Sequence, residues 1–214
     1  MSRLAFIFDV ETSGLIRKGE EFPHILQLSY ILYDIKNKQV MTSYDTFVKP
    51  SEPVIVEEII TKLTGITQKD TDGGIPIRQV LEDFFQILQL ADIIVGHNIE
   101  FDKKMIALEI ARMYPNTFST MVKEVGEKSL LGIWDMNVSI KDFCTMRNST
   151  TLCNIIRSNR RGSYVKFPKL SETYEKLFGQ VPENLHNSLT DTIVCLRCFM
   201  RLAYKEDIGE ITTE

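Results

Sequence analysis

The chain has 214 residues, 43% of them hydrophobic and 25% charged, with a formal net charge of −4. That length and balance give one domain with a sizeable core and exclude a protein that coats nucleic acid or a membrane by charge alone. An acidic metal site stays within bounds, because it contributes negative charge until cations fill it.

Residues 4–10 contain the apolar run Leu4-Ala5-Phe6-Ile7-Phe8 and read as a strand. The run ends in Asp9 and Glu11, one residue apart, so alternation with period two sets both acids on one side. Like charges held that close repel unless a cation neutralises them; a strand that merely ends in a solvated acidic loop is the other reading. Thr12-Ser13-Gly14 follow, small residues with free backbone N–H groups that suit a phosphate beside a metal. Strands are expected over 25–35 and 40–48, with Lys36-Asn37-Lys38 short enough for an antiparallel hairpin. Residues 56–63 and 77–90 read as helices, the second from Val80, Leu81, Phe84, Phe85 and Leu88 at helical spacing. Ile93-Ile94-Val95 has the look of a strand covered on both faces, and a helix over 99–113 follows with Asn98 as its N-cap. A helix and a turn are expected around 117–138, a last strand over 140–146, and helices over 150–157, 169–178 and 187–204. A meander followed by βα alternation implies an α/β domain with a mixed five-stranded sheet flanked by helices. Residues 205–214 form a short acidic C-terminal tail.

Cys195-x-x-Cys198 has metal-ligand spacing, but Cys144 and Cys153 are nine positions apart and the first pair falls in a helical apolar pattern. Buried free thiols are the expectation, which fits a reducing compartment. No stretch is long enough to span a bilayer, and the N-terminal apolar run is too short for a signal peptide. An intracellular protein, cytoplasmic or nuclear and without a membrane partner, is expected.

Ligands in open α/β sheets sit at strand ends. Val95-Gly96-His97-Asn98 ends one strand, and the helix after it carries Asp102 in its first turn. If that strand lies parallel to the first, Asp102 points toward Asp9 and Glu11; an acid stabilising a helix N-terminus is the plainer account. His186-Asn187-Ser188-Leu189-Thr190-Asp191 opens the last helix. There Ser188-x-x-Asp191 also reads as a capping box, and His186 as an exposed loop histidine. Each plain account is good alone; all of them together, in this order on these elements, are not.

The set Asp9-Val10-Glu11-Thr12-Ser13-Gly14, then Gly96-His97-Asn98-x-x-Phe101-Asp102, then His186 five residues before Asp191, resembles the three motifs of the DEDDh (DnaQ-like) 3′→5′ exonucleases. The resemblance runs over nearly the whole chain and is weakest over 115–168. It implies an RNase H-like fold and a single exonuclease domain over 1–204, in which 115–168 is a family-variable insertion. It makes Asp9, Glu11, Asp102 and Asp191 metal-binding carboxylates and His186 the general base. Four carboxylates suit two hard divalent ions, Mg²⁺ or Mn²⁺. Leu63-Thr64-Gly65-Ile66-Thr67 resembles the family's His-Gly-Ile-Thr segment, with Leu63 and Ile66 against the last bases and Thr64 where a histidine often stands. Asn98 and Phe101 would line the pocket, core packing being the other role for Phe101. His97 reads as structural, and His24 has no visible role.

From Lys141 to Lys176 eight basic residues face three acids, a reversal in an acidic chain. Arg157, Arg160, Arg161 and Lys166 read either as a mobile loop guiding a strand by its phosphates or as a solvated basic loop. The expected activity is hydrolysis of single-stranded DNA from the 3′ end, releasing nucleoside 5′-monophosphates, with a DNA polymerase in trans as a partner. Thr-Ser-Gly rather than Met-Thr-Gly after the Asp-x-Glu leans to DNA. An exoribonuclease is the alternative, as is a non-catalytic accessory module, which loss of any of the five residues would favour.

Overall fold

Alternation along the first strand decides how the domain is layered. Phe6, Phe8 and Val10 point into one core and Ala5 and Ile7 into another, on opposite faces of the same sheet. The structure, a computed structural model, describes residues 3–17, 19, 21–114, 140–182 and 185–209. The helix and turn expected around 117–138, and the tail from 210, lie outside the described residues. The elements run β1 (Leu4–Thr12), β2 (Ile25–Asp34), β3 (Gln39–Lys49), α1 (Glu58–Thr64), α2 (Gln68–Asp72), β4 (Ile75–Pro76), α3 (Ile77–Leu88), β5 (Ile93–Gly96) and α4 (Ile99–Met113). After these come β6 (Lys141–Cys144), α5 (Thr145–Cys153), β7 (Ile156–Asn159), β8 (Gly162–Val165), α6 (Leu170–Phe178) and α7 (Ser188–Tyr204).

The main sheet has the order β4-β3-β2-β1-β5-β6. β1 pairs antiparallel with β2 and parallel with β5, and β5 pairs parallel with β6. The five expected strands are present; the two-residue β4 adds a short parallel edge to β3. Asp34 shapes the β2–β3 hairpin, its Oδ1 accepting the N–H groups of Lys36 and Asn37 at 2.9 and 3.0 Å. α3 and α4 cover the Phe6 face, where Phe84 meets Phe6 and Phe8 edge-on at 5.0 and 5.2 Å. α7 covers the other face with Cys195, Leu196, Phe199 and Met200. Cys195 and Cys198 are thus core side chains, 2% and 0% exposed.

The segment 145–165 differs from the expectation. The helix occupies 145–153 rather than 150–157 and stops at Asn154, which takes a left-handed conformation with φ 45°. Ile156 to Asn159 then pair with Gly162 to Val165, so the basic stretch is a β-hairpin and not a loop. The short apolar run Ile155-Ile156 suits strand and helix equally, and only the pairing of Ile156 with Val165 decides.

Candidate active site

The face of the sheet under α7 changes character along its length. Ala5, Ile7, Ile31 and Tyr33 are apolar, and next come the register partners Asp9 with Ser29 and Glu11 with Gln27. A register shift between Glu11 and Thr12 marks a bulge there, which re-aims the last residues of β1. The later turns of α7 cover the apolar half, and its first turn, with Asp191, meets the polar half. Ser188 fastens this junction: its Oγ donates to the Asp9 carbonyl at 2.7 Å, and its N–H reaches Gln27 Oε1 at 3.4 Å. Gln27 Nε2 in turn donates to Asp45 Oδ1 at 2.8 Å. Ser188 is therefore not the helix cap. Asn187 is, accepting the Thr190 N–H at 3.2 Å.

Because β1 and β5 are parallel neighbours, the first turn of α4 rises at the end of β1. Asp102, 3% exposed, accepts the Val10 N–H at 3.3 Å through Oδ1. Glu11, His186 and Asp191 bring side-chain ligand atoms within 4.8 Å of one another. His186 sits in an exposed loop with φ 71°, and its N–H meets Asp191 Oδ2 at 3.4 Å. The other oxygen of Asp191 is buried without a hydrogen-bond partner. Such an oxygen costs stability unless something fills it.

The four acids perturb one another. Burial first, then the charges of Asp102, Asp191 and Glu11, push the Asp9 carboxyl well above the usual carboxylate range. Burial and then Asp191 push Glu11 up to about 7. Burial pushes Asp102 up to about 8, against the pull of the Val10 N–H, and Asp191 up to about 6. An oxygen-rich site of mutually repelling acids with an unfilled buried oxygen fits a hard divalent cation.

The remaining positions divide. Ser13 N–H donates to the His24 carbonyl and Ser13 Oγ accepts the His24 N–H, both at 2.9 Å, while Thr12 Oγ1 donates to the Gly14 carbonyl at 2.7 Å. Both oxygens are thus engaged in closing the turn. Ile66 is 1% exposed, so it packs in the interior and cannot press on a base; Leu63, 55% exposed, can. Thr64 Oγ1 donates to the Ile60 carbonyl and accepts the Ile66 N–H, closing the end of α1. Asn98 is exposed in a left-handed conformation, φ 67°, and precedes α4 without a side-chain cap bond. Phe101 is half-buried against the Phe6 core. Arg160 and Arg161 are exposed at the tip of the β7–β8 hairpin. His97 is structural: its ring nitrogens bond Thr145 Oγ1 at 2.9 Å and the Pro168 carbonyl at 3.1 Å, and burial pushes its pKa down to about 4.

Ser188, Gln27, Ser29 and Asp45 carry the acids and escaped the sequence reading. The available signal was Gln27 and Ser29 breaking an otherwise apolar strand at the same period as Asp9 and Glu11. His24, without a role in the sequence, pins Ser13 through its backbone and lies 3.5 Å from Glu109 through Nδ1. Buried Glu109 also accepts the Ile25 N–H and Arg112 Nη1, at 3.1 and 2.8 Å.

Among the described residues no helix is long and apolar enough to cross a membrane. The PolC-type DNA polymerase III of Thermotoga petrophila is 24% identical over 86% of this chain, which spans 17% of that protein. That of Caldanaerobacter subterraneus is 35% identical over 47% of the chain and 7% of its own length. ERI1 exoribonuclease 2 of Xenopus laevis is 25% identical over 86% of the chain, which spans 24% of it. The chain thus spans less than a quarter of each of these relatives. The nuclease domain of 3′hExo, a DEDDh family member solved with rAMP, superposes with a TM-score of 0.62 at 15% identity, over 99% of this chain and 96% of that one. Escherichia coli exonuclease I in complex with a dT13 oligonucleotide gives a TM-score of 0.62 at 15% identity, over 93% and 41%. These likenesses show the RNase H-like fold, and enzymes of this kind generally use divalent metal ions. The RNase T exonuclease family model matches residues 6–199, so the chain belongs to that family of exonucleases.

Proposed function

We propose that the chain hydrolyses single-stranded DNA from its 3′ end, releasing nucleoside 5′-monophosphates. The observation that carries this is the meeting of Glu11, His186 and Asp191 within 4.8 Å, beside Asp9 and Asp102, at one end of the sheet. Asp9, Glu11, Asp102 and Asp191 would hold two Mg²⁺ or Mn²⁺ ions, and the unfilled Asp191 oxygen supports that role. When bound, such ions neutralise charge on the attacking water and on the leaving 3′ oxygen. His186 accepts the water's proton as its oxygen bonds to phosphorus; the P–O3′ bond breaks and the 3′ oxygen takes up a proton. The exposed loop that holds His186 gives the imidazole access to that water, while Ser188 keeps Asp9 and Asp191 in register.

Gly14 supports a nucleotide beside the acids. Its φ is not positive, and an added Cβ would meet only Pro23 Cβ, at 4.0 Å. Neither backbone nor packing demands glycine there, which leaves open space for a sugar or base. Leu63, Asn98 and Phe101 are assigned to that pocket, and Ile66 is withdrawn from it. Thr-Ser-Gly and the PolC-type relatives favour DNA, with a DNA polymerase as the source of 3′ ends. The likeness to ERI1 exoribonuclease 2 favours RNA as the second reading.

Matched DNA and RNA strands labelled at the 5′ end, incubated with Mg²⁺, Mn²⁺ or EDTA, test this directly. A metal-dependent ladder shortening from the 3′ end is expected, faster on DNA. Internal cuts, or shortening in EDTA, would overturn the assignment. Ser188→Ala tests the junction: kcat is expected to fall about tenfold with little change in KM. The lost buried hydrogen bond is expected to lower stability by about 1–2 kcal/mol, a few degrees in Tm. An unchanged kcat would remove Ser188 from the positioning machinery.

A further inference from the structure

A β-hairpin rises at the same end of the sheet as the acids. β1, β5 and β6 are parallel neighbours, so their C-terminal ends share one edge, and β6 leads through α5 into β7 and β8. The foot of the hairpin is fastened to that edge. His97, directly after β5, bridges Thr145 and the Pro168 carbonyl. Lys166 N–H donates to the Ile155 carbonyl at 2.9 Å, and its Nζ reaches both oxygens of Glu172 at 2.7 and 2.8 Å. Above the foot, every residue of β7 and β8 is exposed.

An isolated two-stranded hairpin gains little stability in water, and this one buries nothing of its own. One face holds it together: Ile156 lies opposite Val165, and Ser158 Oγ bonds Ser163 Oγ at 2.9 Å. Alternation sets Arg157 directly opposite Tyr164 on the other face, with Tyr164 49% exposed. Gly162, at a φ of 124° that glycine alone adopts readily, closes the turn and leaves Arg160 and Arg161 at the tip. Among the described residues the salt bridges engage Lys166 but none of Arg157, Arg160 and Arg161. Three uncommitted guanidinium groups within five residues, beside an exposed ring, stand out in a chain of net charge −4.

We propose that the β7–β8 hairpin is an arm that holds the single strand upstream of the nucleotide being removed. This rests on the exonuclease reading of the site. Tyr164 offers a ring on which a base stacks, Arg157 beside it pairs with a phosphate, and Arg160 and Arg161 hold phosphates farther from the 3′ end. A four-residue strand is about 13 Å long, room for a few bases stacked about 3.4 Å apart. The arm therefore makes affinity depend on strand length, which the acid site alone does not.

KM for a strand of about twelve nucleotides, against KM for a dinucleotide too short to reach the arm, tests this. In Arg157→Ala/Tyr164→Ala the long-strand KM is expected to rise about tenfold, removing most of the advantage of length. Tyr164→Phe alone keeps both the ring and Arg157 and is expected to leave that advantage in place. Arg160→Ala/Arg161→Ala, which leaves the strand pairing alone, is expected to reduce the slope of log affinity against log salt by about 1.4. Fluorescence anisotropy of the labelled strand in EDTA separates the arm from the chemistry. Hairpin-dependent binding without hydrolysis would keep the arm and sink the exonuclease assignment. Equal KM, anisotropy Kd and salt slope in variant and unaltered protein would overturn the arm, whatever the nuclease does.

Discussion

Asp9→Ala is expected to lower kcat on a 5′-labelled strand by on the order of 10³-fold or more, while the metal-free protein folds at least as stably as before. Asp9 is the acid most pressed by its neighbours, since burial and the charges of Asp102, Asp191 and Glu11 all act on it. Removing it takes away a charge that three other carboxylates repel. The bond that fastens α7 to β1 survives, because Ser188 Oγ donates to the backbone carbonyl of residue 9, which the substitution leaves in place. Activity and stability should thus move in opposite directions. Measuring kcat together with Tm in EDTA checks this; full activity, or unfolding, would count against the site as described.

The second large effect is on stability against pH in the absence of divalent ions. Glu11, Asp191 and Asp102 have folded-state values of about 7, 6 and 8, against ordinary values of 4.5 for Glu and 3.8 for Asp. The folded protein therefore keeps protons that the unfolded chain has released. These groups favour the fold fully below pH ~4, and that advantage is lost as pH rises through about 8. In EDTA, Tm should accordingly fall between pH 5 and about 8 from this source. Mg²⁺ or Mn²⁺ at about 100 times its Kd contributes about 2.7 kcal/mol, or roughly 5–10 °C for a domain of this size. That gain should be greatest near pH 8, where the carboxylates are charged, and small near pH 5, where protons compete. A metal-induced shift equal at both values would mean that the ions bind elsewhere.

The acids were legible because their spacing is a local matter. Period-two alternation set Asp9 and Glu11 on one side, and the parallel pairing of β1 with β5 brought Asp102 to Val10. The supporting residues were not, since Ser188 bonds Asp9 across 179 positions of sequence and no local pattern announces it. Ser188-x-x-Asp191 even reads as a helix cap, a role that the neighbouring Asn187 holds. Ile66 failed for a similar reason, since a motif assigns a residue type to a position but burial depends on what packs over it. The hairpin was missed because four-residue strands carry too few residues to reveal a period.

The pairing of Ser13 with His24 has a practical consequence. Two hydrogen bonds clamp the residue after Thr12 to the residue before Ile25, and Arg112 Nη2 holds the carbonyls of Phe22 and Pro23 at 2.7 and 3.0 Å. Both ends of the segment from 14 to 23 are thereby anchored, and Ile16 between them packs against the Phe6 core. Between two such anchors the closure entropy of a longer segment rises slowly, by about 0.6 kcal/mol for each doubling of length. A fluorophore-bearing peptide or an affinity tag spliced between the two anchors would ride beside the acids and give an optical reporter of strand entry.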